Sequence, residues 1–90
     1  MIARVEVRGR VQGVGFRWFA RESARRRGLS GWVRNREDGC VEVAASGPPE
    51  AVERFLGELR RGPAGARVDE VVALPVEGLG ALEEPFTVLR

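Results

Sequence analysis

Ninety residues, 43% hydrophobic and 31% charged, are enough for one core and too few for two, so residues 1–90 are read as a single domain. No apolar run approaches membrane-spanning length and no charged-then-apolar leader precedes the first strand; the single cysteine, Cys40, excludes an internal disulfide framework, and the lack of histidine removes the usual zinc ligand and general base. All fifteen basic residues are arginine and the net charge is only +2, a mild bias towards anions, so the expected protein is cytoplasmic, needs no metal or other cofactor, and binds neither nucleic acid nor membrane.

An alternating stretch, Ala3-Arg4-Val5-Glu6-Val7, predicts a first strand. It runs into Gly9 to Arg17, GRVQGVGFR, where Gly9, Gly13 and Gly15 mark a change of direction. Glycine permits positive φ and close approach of backbone to a ligand, so such a turn can gather successive N–H groups into one anion-sized concavity. A helix start adds its own unpaired N–H groups and the positive end of its dipole, and Arg17 places a guanidinium on the first turn. Gln12, the only glutamine of the chain, sits inside this loop.

Phe16, Phe19, Ala20 and Ala24 then recur at helical spacing, and Gly28 closes the helix. Arg25-Arg26-Arg27 falls at its C-terminal end, where cations suit the dipole, and reads as a solvated helix end. A second strand, Trp32 to Arg36, contains the only asparagine, Asn35. Glu37-Asp38-Gly39 is a hairpin turn leading to a third strand, Cys40 to Ala45, with Val41, Val43 and Ala45 on one face. Pro48-Pro49-Glu50 opens a second helix whose Val52, Phe55, Leu56 and Leu59 form the stripe of a helix lying on a sheet, and Gly62-Pro63 stops it. A fourth strand, Arg67 to Leu74, a loop to Glu84 and a short strand, Phe86 to Leu89, complete the chain.

This order, β-α-β-β-α-β with a terminal β, predicts an α+β, ferredoxin-like sandwich. Its mainly antiparallel sheet has four to five strands, with both helices on one face. In that topology the first two strands run parallel with the third between them, so the loop after strand one and Asn35 end at the same edge. Strand parity puts Asn35 on the helix-covered face with Val33, towards the start of helix one and Arg17. Metal-free positioning and electrostatic stabilisation are most of what phosphoryl transfer needs. Asn35 can orient water but cannot take its proton at neutral pH, and Cys40 reads as a small semi-buried residue rather than a nucleophile. A site without a strong base favours an activated phosphate, and a carboxyl phosphate leaves as a carboxylate that needs no proton.

The loop GRVQGVGFR, with Gly31-Trp32-Val33-Arg34-Asn35 and then Gly39, Val41 and Gly47, resembles both signature motifs of the acylphosphatase family. The resemblance implies hydrolysis of acyl phosphates to a carboxylate and inorganic phosphate in a metal-free ferredoxin-like domain of this length. It further implies that Arg17 binds the phosphoryl group, that Asn35 positions the water, and that Arg10, Val11, Gln12, Gly13, Val14 and Gly15 supply the cradle for substrate, phosphate or another anion. Two alternatives stay open: an RNA-binding domain of the same topology, disfavoured by a sheet face that offers Arg4, Glu6, Arg8 and Glu42 instead of stacking aromatics, and a carrier module of the kind found in larger enzymes that process carbamoyl phosphate. An initial methionine and a length of ninety residues favour a stand-alone monomeric enzyme. The sequence leaves the places of Trp18 and Trp32 undecided.

Overall fold

The computed structural model describes residues 1–90, as β1 (Ile2–Arg10), α1 (Phe16–Arg26), β2 (Ser30–Asn35), β3 (Val41–Ser46), α2 (Pro49–Arg61), β4 (Arg67–Ala73) and β5 (Thr87–Val88). The sheet order is β4-β1-β3-β2-β5. β3 is antiparallel to both β1 and β2, β4 is antiparallel to β1, and the two-residue β5 lies parallel to β2, so the ferredoxin-like sheet is mixed at one edge.

Alternation along the strands separates two different faces. Val5 and Val7 of β1, Val33 of β2, and Val41, Val43 and Ala45 of β3 are buried against Phe16, Ala20 and Ala24 of α1 and Val52, Phe55 and Leu59 of α2. Phe86, just before β5, fills the same core edge-on to Phe55, with ring centroids 5.7 Å apart. β5 is shorter than the sequence pattern implies: the Phe86 carbonyl accepts from Arg25 Nε at 2.8 Å, while Leu89 still donates its N–H to the Val33 carbonyl at 2.8 Å. Phe19 and Leu56 flank the core half-buried, each at the rim of its helix stripe.

The face without helices is closed by ion pairs. Glu42 of β3 has no exposed side-chain surface there, because Arg4 of β1 reaches one carboxylate oxygen at 2.6 Å and Arg34 of β2 reaches the other with Nε at 2.9 Å and Nη2 at 2.7 Å. Burial alone would raise the Glu42 carboxyl, but the hydrogen bonds from Arg34 and Arg4 outweigh it and hold it below the ordinary range. Glu6 is treated alike by Arg8 at 2.5 Å and Arg36 at 3.0 Å. Trp32 lies on this face as well, 5.4 Å beneath the Arg34 guanidinium.

β1 meets its outer partner through a register shift between Arg8 and Gly9. Gly9 has φ 133°, and a Cβ there would lie 2.1 Å from the Arg67 carbonyl oxygen, so only glycine lets β4 approach at this point. Beyond it, Arg10 still pairs with Arg67, which extends β1 further than the alternating valines indicate.

The two helices are joined by Glu58. Its carboxylate accepts from the Ser23 hydroxyl, from Arg27 Nε and Nη2 at 3.0 and 2.9 Å, and from Arg26 at 3.4 Å. Arg25 turns the other way and donates to the Phe86 carbonyl at 2.8 Å. The arginine run is therefore a clamp as well as a helix end. Ser23, then Arg27, lowers the Glu58 carboxyl below its usual 4.5, so the clamp contributes fully above that pH and is lost as pH falls through the depressed folded value. Glu58→Gln is expected to cost about 1–2 kcal/mol at pH 7, a fall in Tm of roughly 5–15 °C. Thermal melts at decreasing pH should show the gap between variant and wild type closing as Glu58 protonates.

Candidate active site

The chain leaves β1 at Val11, whose side chain is buried in the core and fixes where the loop begins. Gly13 and Gly15 then take left-handed conformations, φ 74° and 79°, on either side of Val14, which packs against the core. Space is not the reason for glycine here, since a Cβ at either position would meet nothing within 4 Å; the positive φ itself is. Gly15 caps α1 with no side-chain bond, and its carbonyl accepts the first helical hydrogen bond from Phe19 at 3.0 Å. No backbone N–H from Gln12 to Arg17 donates to a carbonyl or side chain of the protein, and the first turn of α1 carries no acidic residue. Six consecutive free donors at the positive end of a helix dipole, with no carboxylate to quench them, are the chemistry an anion cradle requires.

Arg17 stands on the first turn of this helix. Five arginines are partly covered: Arg4, Arg17, Arg21, Arg27 and Arg36. Four of them pair with carboxylates, and Arg17 alone has neither an ion pair nor a hydrogen bond to any side chain, carbonyl or chain terminus. A half-covered guanidinium with no partner beside unpaired N–H groups suits a phosphate or carboxylate, which it would bind bidentately.

Asn35 is the last residue of β2 and pairs across the sheet with Val41. Its parity with Val33 puts it on the helix-covered face, and its Oδ1 is buried without a hydrogen-bond partner. It is the one buried side-chain nitrogen or oxygen of the chain in this condition. An unsatisfied buried acceptor costs about 1–3 kcal/mol, so this oxygen at the end of β2 is a candidate to accept from a bound group.

The link between cradle and Asn35 is Gln12. Its side chain turns away from the cradle, and Nε2 donates to the carbonyls of Arg36 at 2.8 Å and Cys40 at 2.9 Å. Those two residues close the β2–β3 hairpin, where the Arg36 N–H also donates to Cys40 at 2.9 Å. Gln12 thus offers its N–H to the cradle and uses its amide to fasten the loop to the hairpin that carries Asn35. Arg10, grouped with the loop by the motif, belongs to β1 and is exposed.

Other candidates fall away from this centre. Burial, then the charges of Asp38 and Glu6, pushes the Cys40 thiol up, which leaves it protonated and a poor nucleophile. Glu6, Asp38 and Cys40 place ligand atoms within 4.8 Å of one another, but Arg8 and Arg36 already occupy the two carboxylates. Trp32 lies across the sheet from Asn35, whereas Trp18 is on the turn that follows the cradle and is exposed.

The acylphosphatase family profile matches residues 3–84. An acylphosphatase from Koribacter versatilis is 57% identical over 68 residues, which make up 76% of this chain and 62% of that relative. The crystal structure of acylphosphatase from Bacillus subtilis superposes with a TM-score of 0.90 at 37% identity, covering 100% of both chains. T. kodakarensis HypF contains a similar unit, with a TM-score of 0.84 at 30% identity over 100% of this chain but 12% of that protein. No helix is long and apolar enough to cross a membrane. Since the matched span runs from β1 to the loop before β5 and so contains the whole of the site, the chain belongs to the acylphosphatase family.

Proposed function

We propose that the acyl-phosphate hydrolysis of this family proceeds here by in-line attack of water on a phosphoryl group seated in the loop from Gln12 to Arg17. The N–H groups and the Arg17 guanidinium take the non-bridging oxygens, where charge spreads in a loose transition state. Asn35 Oδ1 accepts a hydrogen bond from the attacking water and turns its lone pair towards phosphorus; the orphaned burial of this oxygen is the observation that carries the reading. The new P–O bond forms as the bond to the acyl oxygen breaks. The carboxylate leaves unprotonated, and both protons of the water stay with the product as dihydrogen phosphate, which gives one up to solvent near neutral pH. No step calls for a histidine, which the chain lacks, or for the Cys40 thiolate.

A free thiol at Cys40 fits a reducing, cytoplasmic setting, and the substrate is a small molecule rather than a nucleic acid. The guanidinium groups that a nucleic acid would need on the open sheet face, Arg4, Arg8, Arg34 and Arg36, are already paired with Glu42 and Glu6. The likeness to a small part of HypF supports one second reading, a phosphate-binding module within a larger assembly.

Release of phosphate from acetyl or benzoyl phosphate in the presence of a chelator tests the proposal. Full activity is expected with chelator, and turnover that stops on metal removal contradicts the mechanism. Phosphate binding without turnover of either substrate favours the module. Arg17→Ala is expected to lower kcat/KM by more than about a hundredfold and to weaken inhibition by inorganic phosphate, with Arg17→Lys recovering only part because it loses the planar fork. Asn35→Ala should lower kcat by about a hundredfold or more while KM moves little. Gln12→Ala should lower kcat roughly tenfold to a hundredfold through misalignment of cradle and water, with phosphate inhibition nearly intact. A Gln12→Ala enzyme with wild-type kcat would show that the tie to the hairpin is not needed for alignment.

A further inference from the structure

We infer that Trp18 is a specificity-determining residue: its indole receives the acyl group of the substrate and favours aromatic and bulky apolar acyl phosphates over acetyl phosphate. This rests on the hydrolase reading above and extends it to the substrate class.

Trp18 is 60% exposed, more than any other large hydrophobic side chain, and it is the only aromatic that is not buried or half-buried. The other exposed apolar residues, Met1, Ile2, Val76 and Leu89, lie near the termini or in the loop after β4, whereas Trp18 occupies the first turn of a regular helix. Phe16, two residues before it, and Ala20, two residues after it, are buried in the core. At about 100° per residue Trp18 is turned roughly 200° from each, which aims it away from the sheet. Side chains on a helix lean towards its N-terminus, so the indole overhangs the turn that holds the cradle.

In-line displacement then fixes which side the acyl group takes. With water attacking from the side of Asn35, whose Oδ1 is buried at the end of β2, the bond that breaks points the opposite way, away from the sheet. On that side Trp18 presents the apolar surface. Its neighbours leave the ring uncovered: Arg21 and Glu22 pair with each other at 3.2 Å, and the cation lying over an indole in this chain is Arg34 on Trp32. Trp18 Nε1 donates to no group of the protein, so no hydrogen bond fixes the ring. An aryl acyl group would stack on this face and be covered by it, and a methyl group is too small to gain much.

The test is kcat/KM for benzoyl and acetyl phosphate in wild type, Trp18→Ala and Trp18→Phe. In Trp18→Ala the benzoyl-to-acetyl ratio should fall about tenfold, mostly through KM for benzoyl phosphate, and Trp18→Phe should recover most of it. The inhibition constant of inorganic phosphate, which has no acyl group, serves as the internal reference and should stay within about twofold. A ratio unchanged in Trp18→Ala, or an equal fall for both substrates, overturns the role of Trp18 and leaves the hydrolase reading intact. Turnover of neither substrate by wild type overturns that reading, and the assignment of Trp18 with it.

Discussion

The register of β3 is the constraint on which the site depends. Val41 pairs with Val7 of β1 on one side and with Asn35 of β2 on the other, so a single rung of the sheet joins the strand that feeds the cradle to the residue that faces it. Neighbouring strands lie about 4.8 Å apart, which keeps the two outer members of that rung within roughly 10 Å. A slip of one residue would turn Asn35 to the open face and bring Arg34 or Arg36 to the helix side. The buried valines on the rungs Val5–Val43–Val33 and Val7–Val41–Asn35 make that slip expensive, so the hydrophobic core and the placement of the Asn35 amide are one requirement.

Pairing elsewhere makes the site distinct. On the open face Arg4, Arg8, Arg34 and Arg36 are neutralised by Glu42, Glu6 or Glu70; the arginines at the end of α1 are taken by Glu58 and the Phe86 carbonyl. In an arginine-rich chain of small net charge, this leaves Arg17 as the half-covered guanidinium without a partner. Among the covered polar groups, the Arg17 guanidinium and the Asn35 amide oxygen are left without a protein partner, as is the run of N–H groups from Gln12 to Arg17.

Much of this was legible beforehand. The valines of β1 and β3 and the stripe of α2 carry periods that only one arrangement buries, and the placing of Asn35 on one rung with the end of β1 follows from strand order and parity alone. The role of Gln12 was not legible, because its partners are the carbonyls of Arg36 and Cys40, and a carbonyl has no signature in a sequence. The same holds for the end of β2, which stops at Asn35 because the next pair closes a turn. Trp32 was ambiguous because an indole satisfies either face of a strand; a guanidinium above it decides the matter. The Glu58 clamp joins two helix faces whose relative rotation no single-helix pattern encodes.

The contact between Gly9 and the backbone of β4 has a kinetic consequence. β1 is the first strand of the domain and β4 follows both helices, so the pairing of Gly9 with Val68 and of Arg10 with Arg67 closes a loop of about sixty residues. Such long-range closure is slow, because its entropy is lost before its contacts are gained. The outer border of the cradle is fixed only when that closure occurs. Until that closure the edge of β1 that runs into the loop stays unpaired, so helices and a central hairpin that form early do so before the loop is anchored on its outer side.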